Sequence, residues 1–159
     1  KQIYKKDNSF FEKHVALTNN KNKIKFIYKK TNKDLLKRIK YLNLISAGNV
    51  IEYPVKAIEY LTIIAKKIKK FGGGFLAFDY GYVQKKNQDT LQSVRKHKYS
   101  NILKQFSNSD ITSHIDFKLF CEILKKNNLS VNKITTQNEF LQKLGILERA
   151  NILSKKNGF

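Results

Sequence analysis

The sequence predicts an α/β fold, with an antiparallel β-meander and one inserted helix in front, followed by half of an open, doubly wound sheet. Three observations predict it. Short β-type runs at residues 2–6, 10–17 and 23–30 are separated by turns rich in Asn, Asp and Ser. A strongly periodic helix from Pro54 stops at Gly72-Gly73-Gly74 and gives way at once to the continuous apolar run Phe75-Leu76-Ala77-Phe78. From residue 51 onward helix, strand, helix, strand and helix alternate, the pattern of parallel pairing joined by crossover helices. The chain therefore divides into residues 1–50, a meander plus helix that covers, and residues 51–159, the half-sheet.

The turns of the meander are Asp7-Asn8-Ser9 and Thr18-Asn19-Asn20-Lys21-Asn22. Its third run, Lys23 to Lys29, alternates imperfectly, which leaves its buried face undetermined. Leu35, Leu36, Ile39, Leu42 and Ile45 recur at spacings of three and four, predicting an amphipathic helix over Lys33 to Ile45 with Gly48 in the break behind it. Pro54 suits a first helical position, and Ile58, Leu61, Ala65 and Ile68 share one face of the helix that follows. Lys66, Lys67, Lys69 and Lys70 crowd its end, where the helix dipole favours positive charge. Phe75 to Phe78 then reads as a strand buried on both faces, with Asp79-Tyr80-Gly81 at its carboxyl end. After a polar loop over residues 82–100, Asp116 is placed to cap a helix from Phe117 to Asn127. Leu129 to Ile134 reads as a strand, and Thr136-Gln137-Asn138-Glu139 as a capping box opening a last helix that Gly145 interrupts.

Composition excludes several classes. With 159 residues and 41% hydrophobic residues the chain can bury a core, so disordered and collagen-like readings fall away. No stretch approaches the roughly 20 apolar residues needed to span a bilayer, and no apolar segment stands behind the first residues to direct export. Methionine is absent altogether, so Lys1 is not expected to be the natural start. The single cysteine, Cys121, has no internal partner and lies inside an amphipathic helix, which fits a buried thiol in a reducing compartment. The net charge of +20 invites nucleic acid, but only three of the 32 basic residues are Arg, and Lys is spread through every segment beside Asn. A solvated basic surface is the preferred reading, with nucleic acid disfavoured as a partner.

Few residues carry chemistry on pattern alone. In open α/β sheets ligands bind beyond the carboxyl ends of strands, so Asp79, Tyr80 and Gly81 are placed to touch one; the competing reading is that Asp79 only turns the backbone. Gly72-Gly73-Gly74 precedes its strand, whereas a phosphate cradle follows one, so a simple turn is expected. His114 with Asp116 supplies two metal-ligand types, yet no third or fourth follows at a credible spacing, and no metal is expected. His97 lies in the long loop that begins at Asp89-Thr90-Leu91-Gln92, where functional and plain surface readings compete.

Taken in order, Gly73-Gly74-Phe75-Leu76-Ala77-Phe78-Asp79-Tyr80-Gly81, Asp89-Thr90-Leu91-Gln92 through His97-Lys98-Tyr99, Ser109-Asp110-Ile111-Thr112-Ser113-His114-Ile115-Asp116-Phe117, and Thr136-Gln137 through Phe140-Leu141-Gln142-Lys143-Leu144-Gly145-Ile146 resemble the carboxyl-terminal half of the MidA family. Gln2-Ile3-Tyr4, Glu12-Lys13-His14-Val15 and Glu52-Tyr53-Pro54 also resemble that family's stretch after its central strand. The resemblance implies a Rossmann-like class I methyltransferase that uses S-adenosylmethionine. It implies a protein substrate too: mitochondrial members methylate an arginine on a respiratory complex I subunit during assembly. The expected location is the bacterial cytoplasm or the mitochondrial matrix. The family's glycine-rich cofactor loop and its acidic partner lie upstream of the matching part, so the chain looks like a fragment with no cofactor-binding residues of its own, inactive alone.

In the intact enzyme, methyl transfer needs alignment of donor and acceptor above all. An arginine acceptor is always protonated, so carboxylates must orient its guanidinium and help remove its proton. Strand-end geometry and motif position nominate Asp79, Glu52 and His97 for the acceptor side, with Asp110 and Asp116 as second choices because turn and cap duties explain them. The alternatives are a non-catalytic basic binding protein for nucleic acid or acidic lipid, whose binding falls steeply with salt, and an assembly factor that keeps a protein partner without catalysis.

Overall fold

The computed structural model describes residues 1–20, 23–45, 49–83, 89–104 and 108–157. The expectations that rest on Lys21, Asn22 and Gly48 lie outside them. Strands β1 (Gln2–Lys6), β2 (Ser9–Leu17) and β3 (Ile24–Lys30) form the expected meander, and helix α1 (Lys33–Tyr41) follows. A short strand, β4 (Val50–Glu52), then pairs antiparallel with β1 to give the order β3-β2-β1-β4. Helix α2 (Val55–Phe71) comes next. A parallel pair of two-residue strands, β5 (Gly81–Tyr82) and β9 (Ile115–Asp116), and a three-stranded antiparallel sheet of β6 (Gln92–Arg95), β7 (Lys98–Tyr99) and β8 (Asp110–Thr112) follow. Helices α3 (Phe117–Lys126), α4 (Gln137–Lys143) and α5 (Ile146–Asn157) complete an α/β chain with mixed sheets.

The helix termini follow their caps. Asn32 opens α1 by accepting from the Leu35 amide at 2.8 Å. The helix ends at Tyr41 rather than Ile45 because Asn43 takes a left-handed φ of 53°. The Leu44 amide then reaches back to the Ile39 carbonyl and the Asn43 amide to that of Lys40, so the last carbonyls are satisfied by a closed turn. Asn128 (φ 61°) ends α3 in the same way, and Leu129 spends its amide on the Leu124 carbonyl. At α4 the Thr136–Glu139 capping box is present in both directions, and Gly145 (φ 80°) breaks α4 from α5.

The core joins the meander to α2 and α3. Ile3, Leu35, Ile39, Leu42, Leu44, Ile51, Tyr53, Leu61, Leu119 and Ile123 form one cluster, continuous across residues 50 and 51. Each fully buried Leu or Ile among them contributes about 1.5–3 kcal/mol. Leu61 and Ala65 of α2 are buried as the periodicity predicts, and α2 packs on α3, whose Leu119 and Ile123 face inward.

Three expectations fail. Residues 75–78 are extended but are not a strand: Leu76 is 66% and Phe78 59% exposed. A continuous apolar run becomes a buried strand only when neighbours take its backbone groups, and among the described residues the parallel pairing begins only at Gly81. Phe78 meets the Phe140 ring of α4 edge-on, centroids 4.9 Å apart. Residues 129–134 likewise form no strand. Conversely, the expected polar loop contains the β6–β7 hairpin, turned by Lys96 (φ 48°) and His97 (φ 61°), a pair of left-handed residues of the kind that favours tight hairpins.

Candidate functional site

Two carboxylates converge where the meander meets the second half of the chain. Glu52 stands at the end of β4, two residues before Pro54, so it lies at the edge of the four-stranded sheet where α2 begins. Asp89 and Thr90 approach it from the segment leading into β6. The Thr90 amide donates to Glu52 Oε1 at 3.1 Å and the Thr90 hydroxyl to Oε2 at 2.5 Å. Gln2, only 9% exposed, donates from its amide nitrogen to Glu52 Oε1 at 2.9 Å and also to Asp89, so one amide bridges both carboxylates.

Asp89 gathers a second set of donors. The Tyr4 hydroxyl donates to it at 2.6 Å, the Lys13 ammonium at 3.0 Å and the Leu91 amide at 3.1 Å. Burial would raise the Asp89 carboxyl, but the hydrogen bonds from Tyr4, Gln2 and Lys13, with the Lys13 charge, hold it below the usual carboxylate range. The Tyr4 phenol is driven well above its ordinary value by burial first, then by its bond to Asp89. Lys13, whose side chain is only 10% exposed, also lies 4.2 Å from the Phe26 ring centroid, a cation–π contact beside its ion pair with Asp89.

A cleft of about 470 Å³ opens beside this network. Glu52, Tyr53, Pro54 and Ala57 form one side; Tyr82, His114, Ile115, Asp116 and Phe120 form another, with His14 also on the wall. The parallel β5–β9 pair sets Tyr82 opposite Asp116. Burial, followed by the charges of Asp116 and Glu52, pushes the Tyr82 phenol up to about 12. Asp116 also caps α3, accepting from the Leu119 amide at 3.0 Å. The lining carries the Glu52 and Asp116 carboxylates and the Tyr82 phenol, and also Lys1 and Lys13, whose ammonium groups are paired with Glu12 and Asp89; the two carboxylates are the groups that can receive a cation with several N–H donors.

Of the residues expected to work on an acceptor, the structure brings Glu52 and the second-choice Asp116 to this cleft. Asp79 is exposed and accepts from the adjacent Tyr80 amide at 2.7 Å, a local backbone turn. His97 stands exposed at the tip of the β6–β7 hairpin. Neither is among the residues lining the cleft. Asp110 lies exposed in β8. Sequence reasoning missed Asp89, Gln2, Tyr4 and Lys13 as partners, since they are 76 to 87 residues apart; the signal at hand was the Asp89-Thr90-Leu91-Gln92 motif itself. Cys121 is half-buried rather than buried, and burial raises its thiol above its ordinary value, away from nucleophilic use. Among the described residues no three His, Cys, Asp or Glu side chains gather as a metal site, and no helix is long and apolar enough to cross a membrane.

The family described as putative S-adenosyl-L-methionine-dependent methyltransferase matches residues 1–135. The mitochondrial protein arginine methyltransferase NDUFAF7 of Xenopus tropicalis is 31% identical over 94 residues, covering 59% of this chain and 21% of that protein. The corresponding NDUFAF7 homolog of Drosophila melanogaster is 28% identical over 95 residues, covering 59% and 22%. The chain spans about a fifth of the length of the curated relatives it matches.

Proposed function

The chain belongs to this family of putative S-adenosyl-L-methionine-dependent methyltransferases, the MidA type, and from that premise we propose that it is the acceptor-handling part of a longer protein arginine methyltransferase. The single observation that carries the reading is the Glu52 cleft. In a chain of net charge +20 with only 12 acidic residues, Glu52 and Asp116 line one cavity beside the hydrogen-bonded Asp89 network.

Among the described residues the glycine turn after α2 does not fit the methyl donor. Gly72 and Gly73 have positive φ, but they follow the carboxyl end of α2, where carbonyls rather than amides point outward; the Gly72 amide is spent on the Ile68 carbonyl at 2.8 Å, and a Cβ on either glycine would meet nothing within 4 Å. In this reading S-adenosylmethionine is held by a segment outside the chain, residues 51–159 being the carboxyl-terminal half of a Rossmann-like sheet and residues 1–50 its cover.

The acceptor side is what these residues supply. A guanidinium entering the cleft donates to Glu52 and Asp116, and the pair of carboxylates fixes its plane. Glu52 takes the proton that leaves as the nitrogen is alkylated. The apolar walls from Tyr53, Pro54 and Phe120 exclude water and strengthen both interactions. Because Glu52 lines the cleft and Asp79 and His97 do not, Glu52 bears the proposal. The relatives named as mitochondrial arginine methyltransferases support a mitochondrial protein substrate, with a respiratory complex I subunit as the specific proposal.

The test is a titration of the chain with an arginine peptide and with the same peptide carrying citrulline, its neutral isostere. The arginine peptide shifts the NMR signals of Glu52, Tyr82 and His114 and binds at least about tenfold more tightly, as a charge-assisted pair requires. Equal binding of the two peptides, or tight binding unaffected by Glu52→Gln, contradicts the reading.

A further inference from the structure

We propose that Thr90 is a positioning residue that fixes the Glu52 carboxylate in the cleft; the functional half of this inference rests on the reading of Glu52 as the acceptor-side carboxylate. Thr90 addresses both oxygens at once, its amide bonding Oε1 at 3.1 Å and its hydroxyl Oε2 at 2.5 Å. Two donors from one residue set the plane of a carboxylate, which a single bond leaves free to rotate. The hydroxyl has one proton to give, and its direction is settled by what arrives on the acceptor side. The His114 amide donates to Thr90 Oγ1 at 3.0 Å, so the Thr90 proton is turned toward Glu52.

This relay joins the two walls of the cleft. Glu52 belongs to β4, whereas His114 stands one residue before β9, the strand that places Asp116 beside Tyr82. The orientation of one carboxylate is thereby coupled to the backbone that carries the other. Neither contact is local, since Thr90 is 38 residues from Glu52 and 24 from His114.

Thr90→Val keeps the shape and the amide bond but removes the hydroxyl; Thr90→Ser keeps the hydroxyl and loses a methyl. In the full chain, Thr90→Val is expected to speed hydrogen exchange of the His114 amide and to weaken binding of the arginine peptide about tenfold, the scale of one charge-assisted hydrogen bond. Thr90→Ser restores both, which a packing role for the methyl would not. The inference is overturned if Thr90→Val leaves His114 exchange and peptide affinity unchanged, or if Thr90→Ser is as impaired as Thr90→Val. If the unaltered chain binds no arginine peptide, the acceptor reading falls by itself. The relay is then judged by His114 exchange and the Glu52 carboxyl ¹³C shift, and no change of either in Thr90→Val overturns it.

Discussion

Lys13 and Asp89 face each other at 3.0 Å across the junction between the meander and the second half of the chain. The Lys13 side chain is only 10% exposed, and this carboxylate together with the Phe26 ring compensates its ammonium for the water it loses.

Replacing Asp89 by Asn therefore leaves a largely buried ammonium with no carboxylate. Loss of a fully buried partner costs about 3–5 kcal/mol, and since Asp89 is itself 34% exposed we expect about 1–2 kcal/mol. Urea unfolding of the variant checks this; an unchanged midpoint would show that the pair contributes nothing.

Acid should expose the same network. Asp89 is held below its ordinary value in the folded chain, so its contribution is complete above the unfolded carboxylate value of about 3.9 and is lost as pH falls through the lower native value. Stability measured between pH 5 and pH 2, in the unaltered chain and in Asp89→Asn, should converge toward the acid end.

Alkali acts on the cleft. Tyr82 is raised to about 12, so its contribution is present below the ordinary phenol value of about 10 and is lost as pH climbs from there toward 12. A spectrophotometric tyrosine titration of Tyr82→Phe should lose one late-titrating phenol, whereas loss of an ordinary one would place Tyr82 outside the field of Asp116 and Glu52.

Gly81 is fixed by space rather than by conformation. A Cβ there would lie 2.2 Å from the Ile115 carbonyl oxygen and 2.7 Å from the Phe117 ring. Gly81→Ala must part β5 from β9, at about 1–3 kcal/mol, with Tyr82 and Asp116 displaced as a result. A thermal midpoint equal to that of the unaltered chain would contradict the close approach.

The helices were legible in the sequence because their signals are local. Asp116 and Thr136 cap where capping chemistry requires, and Leu61 with Ala65 lies on the periodic face. The strands were legible only where alternation extends over five residues or more, as in β1 to β3. Strands β4 to β9 have two to four residues each, too few for a period, and they exist through partners 3 to 50 residues away. Phe75 to Phe78 was misread for the same reason, since composition offers an apolar run and only a neighbour makes it a strand. At the site, Glu52 was visible by its place before Pro54. Its cradle of Gln2 and Thr90 was not, because cross-chain hydrogen bonds leave no periodic trace.

The most direct test of the central claim is methylation itself. The protein encoded by the whole open reading frame would be incubated with labelled S-adenosylmethionine and an arginine-containing protein substrate, and the product mapped by mass spectrometry. We expect label on arginine nitrogen and a loss of about 100-fold or more in Glu52→Gln, the range for removing a proton-transfer group. Label elsewhere than on arginine, or a Glu52→Gln protein as active as the original, would contradict the assignment of the cleft.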